Sequence, residues 1–116
     1  MQFLRWLTET ETAPLTLGQV AQVNTGLEDA DFWLQRKGDE KTVGKVYRKL
    51  PQENRDYFIK ENIGVKIKEE WRERLDPLYL SYVMEAHYTE GLWRRVASGT
   101  LKLVNIKTSQ VKKIPV

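Results

Sequence analysis

Asp29 and Asp31 stand just ahead of the apolar run Phe32-Trp33-Leu34, with Gln35 and Lys37 behind them. These are the residue types with which some metal-dependent nucleases hold magnesium and activate water. In such sites the first acid lies on a separate strand further upstream. The tight spacing here fits an acidic turn opening a strand. The one histidine, His87, falls inside a helical pattern with no Ser or Cys nucleophile pattern beside it. It therefore reads as a hydrogen-bonded, half-buried side chain rather than a general base. With no cysteine there is neither a disulfide nor a thiolate metal site, and one histidine excludes any scheme needing two. Neither GxGxxG nor GxxxxGK(S/T) occurs, and no methyl-donor signature is present. No metal, no cofactor and no catalysis by this chain are expected.

Charge carries more information. The 116 residues have a formal net charge of only +3, with 19 Lys and Arg against 16 Asp and Glu. From Gly91 to Val116, however, there are six Lys or Arg (Arg94, Arg95, Lys102, Lys107, Lys112, Lys113) and no acid. A second cluster covers Arg36, Lys37, Lys41, Lys45, Arg48 and Lys49, offset by Asp39 and Glu40. Two concentrated basic stretches in so short a chain suit a polyanion such as nucleic acid. Arg36, Arg94, Arg95, Gln35 and Asn105 have the donors and acceptors for bidentate contacts to base edges. Lys45, Lys49, Lys102, Lys107, Lys112 and Lys113 would neutralise and position phosphates, and Lys37 and Arg48 complete the DNA-binding set. Aromatic rings interleaved with these charges, as in Phe32-Trp33 before Arg36-Lys37 and Trp93-Arg94-Arg95, can stack on unpaired bases. The stronger expectation is that tryptophans form the core of a small domain with only three Phe.

The elements that must position these residues follow from pattern. Asp76-Pro77 is a helix start: the carboxylate caps free amides and proline is pre-set for the first helical position. Tyr79, Leu80, Val83, Ala86 and His87 follow helical spacing, Gly91 weakens it, and Leu92, Trp93, Val96 and Ala97 resume it. One main helix over about 76–97 is predicted. Ile63, Val65 and Ile67 predict a strand, and Leu101 to Ile106 another. Phe32–Lys37 and Thr42–Lys49 read as a hairpin turning over Gly38 to Lys41. Thr16 can cap a helical turn at Leu17 to Val20, with a strand from Ala21 to Asn24. Pro51 to Lys60 reads as a loop, with a helical turn or short strand near its end. Thr108 or Ser109 can cap a last turn carrying Val111, and Lys112 to Val116 reads as a closing strand, with Pro115 confining it to an edge. Phe3 to Leu7 reads as a first strand and Thr8 to Pro14 as a solvated loop.

The order Gly99-Thr100, Asn105-Ile106, Val111, Ile114-Pro115 resembles the closing pattern of target recognition domains in the specificity subunits of type I restriction-modification systems. Asp76-Pro77-Leu78-Tyr79-Leu80-Ser81-Tyr82 is similar to the proline-started helix of that family, and Leu17 to Gly26 (LGQVAQVNTG) to its opening. The resemblance lies at the two ends and covers about half the chain. It implies sequence-specific recognition of duplex DNA in the service of a methyltransferase or nuclease subunit supplied by another chain. Domains of that family are larger and paired across long helices. This chain is one short unit without a heptad run, so a reduced, stand-alone version is implied.

The expectation is thus one α+β domain over 1–116, with a small, twisted, largely antiparallel sheet, one main helix and short helical turns. It is expected to be a bacterial or phage non-catalytic DNA-binding protein in the cytoplasm, without a membrane span, and a homodimer would double its half-sites. A protein–protein adaptor of phage or mobile-element origin, using the Tyr79–Trp93 helix face, is the alternative. A minimal nuclease built on Asp29, Asp31 and Lys37 comes third.

Overall fold

Ile63-Gly64-Val65-Lys66-Ile67 is the strand on which the main sheet is built. Four of its five residues are buried and the fifth, Lys66, pairs its amine with Asp29. The computed structural model describes residues 15–96, 98, 99 and 104–116. The predicted first strand (Phe3 to Leu7), the Thr8 to Pro14 loop, Trp6 and Lys102 lie outside them.

The elements in chain order are α1 (Leu17–Val20), β1 (Ala21–Thr25), β2 (Phe32–Leu34), β3 (Lys37–Gly38), β4 (Val46–Tyr47), α2 (Arg55–Glu61), β5 (Ile63–Ile67), a 3-10 turn (Glu69–Trp71), α3 (Pro77–Thr89), α4 (Leu92–Val96), β6 (Ser98–Gly99), β7 (Val104–Asn105) and α5 (Thr108–Lys112). Four strands form an antiparallel sheet in the order β1-β5-β2-β4, and three short ones form a second sheet, β3-β7-β6. The fold is α+β, as expected. In the first sheet Val23 faces Val65 across β1 and β5, and Phe32 faces Val65 across β2 and β5. This alternation puts Val23, Phe32, Leu34, Ile63, Val65 and Ile67 into one apolar cluster with Leu17, Leu80, Met84, Trp93, Ile106 and Val111.

Asp31 ties the start of β2 to the end of β5. Its carboxylate accepts from the Ile67 amide (2.8 Å) and from Arg72 Nη2 (3.1 Å). Asp29 and Asp31 are thus each paired with a cation.

The first and last described segments meet. The Leu17 amide donates to the Ile114 carbonyl (2.8 Å), and the Val116 amide to the Leu15 carbonyl (2.9 Å). Lys112 to Val116 is therefore not a strand. The α5 helix runs through Lys112, and among the described residues one isolated bridge, Thr16 to Pro115, joins the two segments. The caps of α1 and α5 are made in reverse as well. Gln19 and Gln110 reach back to accept from the amides of Thr16 and Lys107, both at 2.8 Å. Pro51 to Lys60, read as a loop with a turn or strand, contains the two-turn helix α2.

The long C-terminal helix is two helices. Asp76 Oδ1 accepts from the Leu78 amide (2.8 Å) with Pro77 in the first position, as predicted. At its other end Gly91 adopts φ +81°, the left-handed conformation that ends a helix. The chain turns there and α4 starts afresh. The buried face of α3 is Leu80, Ser81 and Met84, with Tyr88 packed against the core. Tyr79, named for the apolar face, stands outward at 63% exposure, beside Leu78 and Tyr82. The hairpin is shorter than expected: Trp33 faces Tyr47 and Leu34 faces Val46, but Lys37 and Gly38 leave β4 and pair with β7.

Asp39 organises the turn between. Its Oδ1 accepts from the Lys41 amide (2.8 Å), the Thr42 amide (2.9 Å) and the Thr42 hydroxyl (3.1 Å). The Lys41 amide, followed by the Thr42 hydroxyl, holds this carboxyl below the ordinary carboxylate range. A depressed folded value contributes stability that is complete above the unfolded value and is lost as pH falls through the folded one. The turn should therefore loosen below about pH 4. Urea midpoints taken across that range should fall more steeply in the wild type than in Asp39→Asn, which has no carboxyl to protonate.

Candidate nucleic-acid interface

The departure of Lys37 and Gly38 from the hairpin joins the two basic stretches. Lys37 pairs with Asn105 across β3 and β7, Gly38 pairs with Val104, and the Ile106 amide donates to the Arg36 carbonyl at 3.0 Å. Sequence positions nearly seventy apart thereby meet on one small sheet. Thr25, Arg36, Asn105, Ile106, Lys107 and Thr108 line a shallow recess there. Lys37 and Lys107 are exposed, and Arg36 and Asn105 are half-buried. The Lys37 and Lys107 ammonium groups, without an acidic partner among the described residues, stand with the Asn105 amide and two threonine hydroxyls on a surface that can neutralise phosphates and hydrogen-bond to nucleic acid.

The remaining candidates divide by what they touch. Arg36 is built into the fold: its Nε donates to the Glu61 carbonyl and its Nη2 to Glu61 Oε2, both at 2.9 Å. Its guanidinium therefore does not stand free to fork onto a base. Arg48 is engaged in the same way. Its Nε donates to Ser81 Oγ (2.9 Å), Nη1 and Nη2 reach Glu85 (3.4 and 3.2 Å), and the guanidinium lies 4.3 Å from the Tyr82 ring centre. Gln35 accepts from the Tyr47 hydroxyl (3.0 Å) and donates to the Lys37 carbonyl (2.8 Å), bracing the exit from β2. Lys45 and Lys49 are exposed, and the Lys45 ammonium sits 5.5 Å from the Tyr47 ring centre.

Arg94 and Arg95 are exposed on α4, and Arg94 lines a different recess, with Glu40, Lys41, Tyr88 and Trp93. Lys112 and Lys113 are exposed at the far end of α5 from Lys107, with the Lys112 stem lying over Gly18. Trp33 and Trp93 are core residues, 4% and 1% exposed, which favours the packing role for them over base stacking. The two acids of the nuclease reading do not line the recess that Lys37 lines. Among the described residues, no group of three His, Asp or Glu side chains is placed to hold a metal ion.

Arg48 yields a direct expectation. Arg48→Ala removes a bidentate but half-solvated ion pair, a hydrogen bond to buried Ser81 and a ring contact, and should lower stability by about 1–2 kcal/mol. Affinity for DNA should be unchanged. Urea unfolding and DNA titration of the one variant check both halves.

The sequence assigned no site role to Tyr57, Asn62, Thr25 or Thr108. Tyr57 is 69% exposed on α2, where Ile59 turns inward and Phe58 is half-buried. The apolar pair Phe58-Ile59 following Tyr57 was the available sign that this ring faces outward.

Comparison of the chain with protein-family models, with curated proteins and with solved structures found no significant match.

Proposed function

We propose that this chain is a non-catalytic DNA-binding protein whose contact surface is the seam between β3 and β7. The observation that carries the reading is the pairing of Lys37 with Asn105, which gathers charge from both basic stretches onto one sheet beside Lys107. Lys37 and Lys107 neutralise phosphates, while Asn105 and the two threonines supply directional hydrogen bonds. The exposed lysines Lys45, Lys49, Lys112 and Lys113 extend the positive field beyond the seam. The likeness of the chain's two ends to restriction-modification specificity domains takes the reading further, to sequence-specific duplex recognition. The chemistry would then belong to a methyltransferase or nuclease subunit on another chain.

The test is binding to a randomised duplex pool at about 50 and 200 mM salt, with the retained DNA sequenced. An enriched motif and a steep loss of affinity with salt support the reading. Absence of binding at the lower salt removes it.

A second reading rests on Leu78, Tyr79 and Tyr82, which are 53%, 63% and 55% exposed on one side of α3. Large apolar side chains grouped on a helix suit a protein partner. Trp93, assigned to that face from sequence, is buried in the core and takes no part. Association through this face would be nearly insensitive to salt, which separates the two readings.

A further inference from the structure

We infer that the recess between α2 and β4 receives a single unpaired nucleobase, next to the phosphate-binding seam. This rests on the DNA-binding reading and names what that surface takes in besides a paired duplex. The recess has a volume of about 290 Å3 and is lined by Tyr47, Tyr57, Phe58, Gln35, Lys37 and Asn62, with Glu61 at its side. That is the lower end of the size range of small-molecule sites and suits one planar ring system.

Its chemistry is that of a base-stacking platform. Phe58 and Tyr47 meet edge to face, 5.3 Å between ring centres, and Phe58 is fixed from behind by Trp33 at 6.2 Å. Tyr57, 69% exposed, lines the same recess as this aromatic pair. Every base has a π face, so such a ring accepts any of them.

The polar groups have capacity to spare. A carboxamide offers two N–H donors and an oxygen with two lone pairs. Gln35 spends one donor on the Lys37 carbonyl and one lone pair on the Tyr47 hydroxyl. Asn62 likewise donates to the Phe58 carbonyl and accepts from the Arg36 amide. Within the bonds of the described residues each amide retains a donor and an acceptor, the complement of a base edge.

Charge selects the guest. Among the described residues Glu61 is the only acid lining the recess, and Arg36 neutralises it at 2.9 Å. Lys37 stands at the rim, and Lys45 lies over Tyr47. Aromatic rings also hold organic cations, but two ammonium groups repel a cation and attract the phosphate that flanks a nucleobase. The two recesses share no lining residue, but Arg36 of the seam recess bonds Glu61 of this one at 2.9 Å, so they are neighbours. A strand held at the seam thus passes beside the recess that a displaced base would enter.

The experiment compares a duplex carrying one unpaired thymine with the fully paired duplex of the same flanks, titrated with wild type, Tyr57→Ala and Tyr57→Phe. Wild type should prefer the bulged duplex by about tenfold, the scale of one base–aromatic stack. The ratio should fall to about one in Tyr57→Ala and be retained in Tyr57→Phe, which keeps the ring. Equal affinity of the wild type for the two duplexes, or a preference that survives in Tyr57→Ala, overturns the inference and leaves the DNA-binding reading intact. No binding to either duplex overturns both.

Discussion

Gly44→Ala should be the most damaging single-methyl change in the described part of the protein. Gly44 has φ +86°, and a Cβ built there would lie 1.9 Å from Trp93 Cδ1 and 2.3 Å from its Nε1. Two costs add. An L-residue in the left-handed region loses about 1–2 kcal/mol, and forcing a methyl into a packed core costs about 1–3 kcal/mol more. The indole cannot step aside: Trp93 is 1% exposed and belongs to the central cluster. Gly26 supplies the control. Its φ is +80°, but nothing lies within 4 Å of the added carbon, so Gly26→Ala should show the conformational cost alone. Urea unfolding of the two variants separates the terms. The expected sum for Gly44→Ala, about 2–5 kcal/mol, is a large part of the stability of a small domain. Equal midpoints for the two variants would mean that the Trp93 side chain yields freely. The close approach also accounts for Trp93 Nε1, a buried donor without a hydrogen-bond partner among the described residues. Its edge is turned to Gly44, where no acceptor stands among the described residues.

The second large effect concerns binding. Replacing Lys37 and Lys107 by Ala should weaken DNA association uniformly across sequences, because a phosphate contact carries no base information. Removing one phosphate-bound ammonium should lower the slope of log affinity against log salt by about 0.9. Asn105→Ala should behave differently, changing which sequences are preferred while leaving the slope in place. Lys37 and Lys107 are exposed, so both substitutions should leave the fold intact.

Several of these elements are plain in the sequence because their cause is local. Alternation in IGVKI makes β5, and Asp76-Pro77 starts α3 with the expected cap. What sequence concealed depends on partners far along the chain. Arg36 finds Glu61 at a separation of 25 residues, and Arg48 finds Glu85 at 37. Read as isolated basic residues they resembled DNA-binding groups, and only the fold supplies their acids. The inward face of α3 was misjudged for a related reason. Tyr79 counts as apolar in a periodicity but stands outward, whereas Ser81 counts as polar and is buried. The Ser81 hydroxyl donates to the Leu78 carbonyl (2.6 Å) and accepts from Arg48, so burial leaves it satisfied. Gly91 was visible as a weak point, but its positive φ is what divides one expected helix into two. The seam itself was half legible. Both basic stretches stood out by charge, but their meeting depends on Lys37-Gly38 leaving a local hairpin for a distant strand, a choice no short-range pattern encodes.

The central claim is that the β3–β7 seam, rather than basic surface in general, holds DNA. Its most direct test is the salt dependence of duplex binding for the wild type and for the double variant Lys37→Ala/Lys107→Ala, with Lys112→Ala/Lys113→Ala as a charge-matched control. If the seam is the contact surface, the first pair should lower the slope by about 1.8 and the control by much less. Equal slopes for the two double variants, or a larger drop in the control, would contradict the claim and move the interface to the far end of α5.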